Sequence, residues 1–104
     1  MATTTVTMYR GAAATTNTTL YTVSSTSATA VVTNIVVANT AASTATATIN
    51  IDGTAILSGI SIPANSTAFF DVKQTMAASS TAKVISGSAS ATTVNFHISG
   101  VEIV

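Results

Sequence analysis

The clearest pattern along the chain runs from residue 43 to residue 62. Thr44, Thr46, Thr48 and Asn50 alternate there with Ala45, Ala47, Ile49 and Ile51. A period of two places the polar set on one side of an extended strand and the apolar set on the other. Asp52-Gly53 follows, and then a second strand-like run that ends at Ile62. Asp-Gly suits a two-residue type I′ turn, in which both central residues take positive φ. Such a turn predicts Ile51 opposite Thr54, Ile49 opposite Ile56 and Ala47 opposite Ser58. One face then carries Ala47, Ile49, Ile51, Ile56, Ile60 and Ile62, and the remaining strands are expected to cover it.

The same reading extends in both directions. A first strand over 2–9 sets Val6 and Met8 against Thr5, Thr7 and Tyr9, and Arg10-Gly11 ends it. A small, polar loop follows, then a strand from Leu20 to Val23 and a Ser/Thr turn at 24–29. Residues 30–39 are apolar on both faces, with Val31, Ile35 and Val37 on one and Val32, Val36 and Ala38 on the other. A strand apolar on both faces is covered on both. Its outer face meets either a loop or terminus of its own chain or another subunit. Pro63-Ala64-Asn65-Ser66 reads as a turn. A strand over 67–73 then puts Ala68, Phe70 and Val72 opposite Phe69, Asp71 and Lys73. Alternation resumes over 81–90. In the last strand, 92–104, Val94, Phe96 and Ile98 share a face opposite Asn95, His97 and Ser99. Beyond Gly100 the apolar positions become Val101 and Ile103, which predicts a β-bulge at the glycine and a paired C-terminus. A helical turn finds room only in the Ala-rich segment 76–82.

About eight short strands with turn signals between them predict an all-β fold, an antiparallel β-sandwich of jelly-roll or Ig-like type. At 104 residues the chain fits one domain. We divide it into residues 1–16, an N-terminal arm or first strand, and a sandwich over 17–104. The large apolar residues are mostly Val and Ile, so the core is expected to be thin and aliphatic.

Charge changes the functional picture most. Three basic and three acidic residues make up 6% of the chain and cancel, against roughly 25% in ordinary soluble domains. No basic patch is available for nucleic acid. So weak a surface charge favours a chain that lives inside an assembly. The chain has no cysteine. No signal peptide and no membrane helix are expected. Chemistry is equally sparse. His97 is the one histidine, and a nucleophilic site would need Ser99 and Asp71 to converge on it. Too few ligands exist for a metal, and no cofactor is expected. Arg10 and Glu102 read as residues that pair locally or across subunits. Asp71 and Lys73 read as a solvated or interfacial pair.

Three phrases carry a resemblance: Val31-Val32-Thr33-Asn34-Ile35-Val36-Val37-Ala38-Asn39-Thr40, Ile56-Leu57-Ser58-Gly59-Ile60-Ser61-Ile62-Pro63-Ala64-Asn65-Ser66, and Val94-Asn95-Phe96-His97-Ile98-Ser99-Gly100-Val101-Glu102. Over residues 17–104 the chain resembles small structural proteins of tailed-phage virions, in particular capsid decoration (cement) proteins. The resemblance implies a non-enzymatic β-sandwich, made in the host cytoplasm, that forms homo-oligomers, trimers above all. It implies attachment to the outer surface of a shell of major capsid protein. A tail, adaptor or fibre component is the alternative. A third class, an ice- or carbohydrate-binding module, rests on the row Thr44, Thr46, Thr48 and on the sparse aromatics Tyr9, Tyr21 and Phe69. For a subunit or capsid interface the candidate residues are Val32, Val36, Tyr9, Phe69 and His97.

Overall fold

The computed structural model describes residues 3–24, 26–78 and 83–103. Every regular element among them is a strand: β1 (Thr3–Ala12), β2 (Thr18–Thr22), β3 (Thr29–Asn39), β4 (Ala45–Ile51), β5 (Thr54–Ile62), β6 (Ser66–Met76), β7 (Val84–Ala89) and β8 (Val94–Ile103). The expected helical turn falls partly at 79–82 and the paired Val104 wholly outside the described residues.

Two four-stranded sheets form, ordered β1-β8-β3-β6 and β2-β7-β4-β5. Their order has a simple origin. The first half of the chain runs antiparallel to the second, so β1 pairs with β8, β2 with β7, β3 with β6 and β4 with β5. The chain is one long hairpin with its apex at Asp52-Gly53. Rolling it up adds the contacts of β3 with β8 and β4 with β7. That arrangement is the jelly roll. An Ig-like sandwich groups its strands differently, as ABED and CFG.

At the apex Asp52 has φ 54° and Gly53 φ 78°, both positive as a type I′ turn requires. Ile51 faces Thr54 as expected, but the register then departs from the expected one. Ile49 faces Leu57 and Ala47 faces Ile60. Extra residues on β5, at Ile56 and at Ser58-Gly59, account for the shift. Gly59 has φ 58°, and its N–H donates to Thr48 Oγ1 at 3.0 Å. Leu57 therefore enters the core, while Ile51, Ile56 and Ile60 are half-buried at its margin.

The core lies between the sheets. Ile35, Val37, Phe96 and Ile98 come from one and Ile49, Ile62 and Ile85 from the other, all fully buried. Burying a side chain of this size is worth about 1.5–3 kcal/mol. The thin aliphatic core expected from composition is present, with Phe96 its one fully buried aromatic.

Two corrections concern faces. On β3 a bulge at Thr33 turns Val32 inward with Ile35 and Val37, and leaves Val31, Val36 and Ala38 outward. On β8 the burial alternates without a break from Val94 to Ile103. No bulge occurs at Gly100. The extra residues sit instead on its neighbours, Met8 on β1 and Thr33 on β3. Gly100 and Glu102 consequently face inward, and Val101 and Ile103 face outward.

Glu102 is thus a buried carboxylate, 7% exposed. It accepts hydrogen bonds from the Ser24 N–H at 3.1 Å and from the Ser24 hydroxyl. It closes the β2–β3 connection and does not pair with Arg10. Glu102→Ala removes both acceptors from Ser24, and the loss is expected to cost about 1–3 kcal/mol. Urea unfolding of the variant with an unchanged m-value checks it.

At the opposite end, Asn39 is 2% exposed. Its Nδ2 donates to the carbonyls of Ser43 (2.8 Å), Ile62 (3.1 Å) and Pro63 (3.3 Å). Its Oδ1 accepts from the Ala41 N–H at 3.1 Å. One side chain thus ties the end of β3 to the β3–β4 connection and to the β5–β6 turn.

Candidate assembly surface

The two sheets present different outer faces. Register fixes which side chains share a row, because directly paired residues point to the same side. On the β2-β7-β4-β5 sheet the outward rows include Thr19, Ser86 and Asn50, then Thr48 with Ser88, then Thr46 with Ser61. This face is small and polar, with Val84 near one end. The Thr row proposed for an ice- or sugar-binding surface lies here. Thr46 is exposed, but Thr48 is half-buried and its hydroxyl is occupied by the Gly59 N–H.

The outward face of β1-β8-β3-β6 is mixed. Its middle row is Arg10, His97, Val36 and Phe69, one residue from each strand in spatial order. On one side follows Thr7, Ser99, Asn34 and Asp71, and then Thr5, Val101, Val31 and Thr75. Val31, Val36, Val101 and Ile103 are each half-buried here. Phe69 is 74% exposed, the one large apolar side chain so exposed among the described residues. Among the described residues the apolar outer face of β3 is half-buried, and Phe69 beside it on β6 stands exposed.

Three of the five candidate interface residues, Val36, Phe69 and His97, fall in this one row. The other two do not join them. Val32 is fully buried in the inter-sheet core, because the bulge at Thr33 reverses its facing. Tyr9 sits opposite Ile98 on the inward side. It packs against the core margin and its hydroxyl donates to the Ala12 carbonyl at 2.7 Å. The bulge at Met8 reverses Tyr9 as the one at Thr33 reverses Val32. Sequence reading missed Arg10 as the fourth member of the row; it marks the strand end in the pattern, yet β1 continues through Ala12.

The register also places the three residues that a His97, Ser99 and Asp71 triad would need. Ser99 and His97 stand two apart along β8, and Asp71 is separated from β8 by the whole of β3. Neighbouring strands lie about 4.8 Å apart, so Asp71 cannot orient the imidazole as a triad requires. Among the described residues no three His, Asp or Glu side chains gather as metal ligands. A shallow depression opens where the bulges of β1 and β3 flank Ser99, lined by Thr5, Thr7, Thr33 and Val101. Hydroxyls and methyls line it, and no titratable group does.

No protein-family model and no curated protein matches the sequence. Solved structures do match the fold. A chain of the T13 viral particle of infectious bursal disease virus superposes with a TM-score of 0.58 and 11% identity, over 97% of this chain and 30% of that one. Chains of the Gx and Gt strains of the same virus give TM-scores of 0.55 and 0.52 at 14% and 12% identity, each over 97% of this chain and 32% of theirs. This chain spans about a third of the length of the chains it matches. At such identity the likeness is one of fold: the sandwich described above is a fold found in chains of a virus particle.

Proposed function

We propose that the chain is a non-enzymatic structural component of a virion, and within that class a capsid decoration protein that binds the outer surface of a phage head. The observation that carries this is a jelly-roll fold of the kind found in virus-particle chains, built from a sequence in which only 6% of residues are charged. The phage-like phrases support the narrower reading. They fall on β3, on β5 with its turn into β6, and on β8, which are framework and face and not a reactive site.

The partner is the major capsid protein, and the mechanism is burial. Apolar surface removed from water contributes about 25 cal/mol per Å² before association costs are met. A single small contact is weak, but many copies linked through a shell or an oligomer act together. The low charge fits a protein whose surface is covered in the assembled particle, since core regions of interfaces are depleted of charged residues.

Purified protein added to empty capsids of the phage that encodes it tests the proposal. Saturable co-sedimentation at high copy number, with a raised capsid disassembly temperature, is expected. Binding to isolated tails alone, or to neither, contradicts it, and the first of these outcomes moves the assignment to a tail component.

A further inference from the structure

We propose that the outward face of the β1-β8-β3-β6 sheet is self-complementary and pairs with the same face of a second copy about a two-fold axis. The axis lies in the interface, parallel to the strands, between β8 and β3. It carries β1 onto the partner's β6 and β8 onto the partner's β3, and leaves the rows in place.

Arg10 then lies over Phe69 of the partner subunit, and Val101 over Val31 of the partner subunit. In the row between, Ser99 meets Asn34 of the partner subunit. An apolar pair thus meets an apolar pair, a hydroxyl meets an amide, and a guanidinium meets the exposed aromatic ring. A guanidinium over an aromatic face is attractive. Asp71 stands one row from Phe69 on the same edge strand, within reach of the long arginine side chain.

The charges give the second argument. Among the described residues the one ion pair is Lys83 Nζ to Asp52 Oδ2 at 4.0 Å. Arg10 and Asp71 belong to none. They occupy opposite edges of one face, three strand spacings apart, or about 14 Å, too far to pair within a copy. The two-fold joins them twice, as an isologous contact must.

The area also suffices. Four strands about 4.8 Å apart and some ten residues long present roughly 600 Å² per copy, or about 1,200 Å² in all. That lies at the lower end of specific interfaces. Packing of two such faces at about 10 Å, with mean strand directions within about 30° of each other, is ordinary sheet-on-sheet geometry. The order so reached is two, where the family resemblance leads to three.

Sedimentation equilibrium of the purified chain alone tests the pairing without any capsid. A concentration-dependent dimer is expected. Arg10→Asp and Asp71→Arg should each weaken it about tenfold or more, and the double swap should restore the ion pair and with it part of the affinity. Phe69→Ser should also weaken it, while the thermal unfolding of the diluted protein stays unchanged because Phe69 is exposed. A folded monomer at every concentration, a trimer, or a dimer indifferent to Arg10→Asp overturns the proposal. A monomer whose capsid binding is lost on Phe69→Ser assigns the face to the capsid protein instead.

Discussion

Replacing Asn39 with aspartate is expected to lower stability by about 3–5 kcal/mol at neutral pH, the scale of an uncompensated buried charge. The change is nearly isosteric, so packing is preserved and the effect is electrostatic. The Asn39 amide nitrogen faces three backbone carbonyls, those of Ser43, Ile62 and Pro63. A carboxylate oxygen there has no proton to donate and is repelled by all three. Water cannot take over, because the site is 2% exposed. Domains of this size have about 5–15 kcal/mol in total, so the variant should melt on the order of 20 °C lower. The pH dependence has a definite sign. Carbonyl neighbours and burial raise the pKa of the introduced aspartate in the folded state above its unfolded value. A group with a raised folded pKa contributes fully below the unfolded pKa, about 4, and loses that contribution as pH rises through the folded pKa. Asn39→Asp should therefore recover part of its stability in acid, relative to the parent. Calorimetry at acidic and neutral pH reads both effects. An equal deficit at the two pH values would mean that the loss is not electrostatic.

Gly100→Ala is the second large effect. Gly100 lies on the inward face of β8, flanked by the bulges of β1 and β3. A methyl group added there overlaps the Val31 carbonyl oxygen and comes within 2.6 Å of Met8 Cε and 3.0 Å of Met8 Sδ. The methionine is flexible and can withdraw. The carbonyl belongs to the ladder between β3 and β8, so the two central strands must separate. Overpacking of a filled core costs about 1–3 kcal/mol and more where backbone has to move; we expect at least the upper part of that range. The double variant Met8→Ala/Gly100→Ala distinguishes the two contacts. Space is restored on the methionine side but not on the carbonyl side, so the second substitution should add its own loss and rescue nothing. Recovery of stability in the double variant would show that Met8, and not the strand ladder, requires glycine.

These two positions also show where sequence reading stops. Alternation located all eight strands to within a few residues, because each strand has one face in a common core and a period of two is enough to say so. The Asp52-Gly53 turn was legible because positive φ at two successive residues demands such a pair. Facing was legible where one face is plainly polar, as on β6, where Phe70 and Val72 turn inward and Phe69, Asp71 and Lys73 outward. It failed where both faces are apolar. On β3 nothing in the order of valines and isoleucines distinguishes a straight strand from one with an extra residue at Thr33, yet that residue moves Val32 into the core. At Gly100 the apolar Val101 and Ile103 suggested a bulge, although the extra residues lie on the neighbouring strands and β8 itself is regular. Such a shift belongs to a pair of strands and cannot be read from one. Asn39 gave no signal at all: a polar residue ending an apolar run looks like the start of a turn, and the carbonyls it gathers come from 4 to 24 residues away.

The candidate surface was half legible for the same reason. Val36, Phe69 and His97 were singled out as separate residues. Only the register made them a row with Arg10, and only the row makes the face a recognisable partner for another surface. The hydroxyl-rich opposite sheet explains why one face and not both is assigned to assembly.

The most direct measurement of the central claim is electron cryomicroscopy of purified particles of the virus to which the proposed function assigns the chain. The account predicts density on the outer surface of the head, at regularly repeated positions, into which a sandwich of 46 × 22 × 18 Å fits with its β1-β8-β3-β6 face turned toward a neighbouring protein and away from solvent. Complete particles without such density, or density confined to the tail, would contradict it.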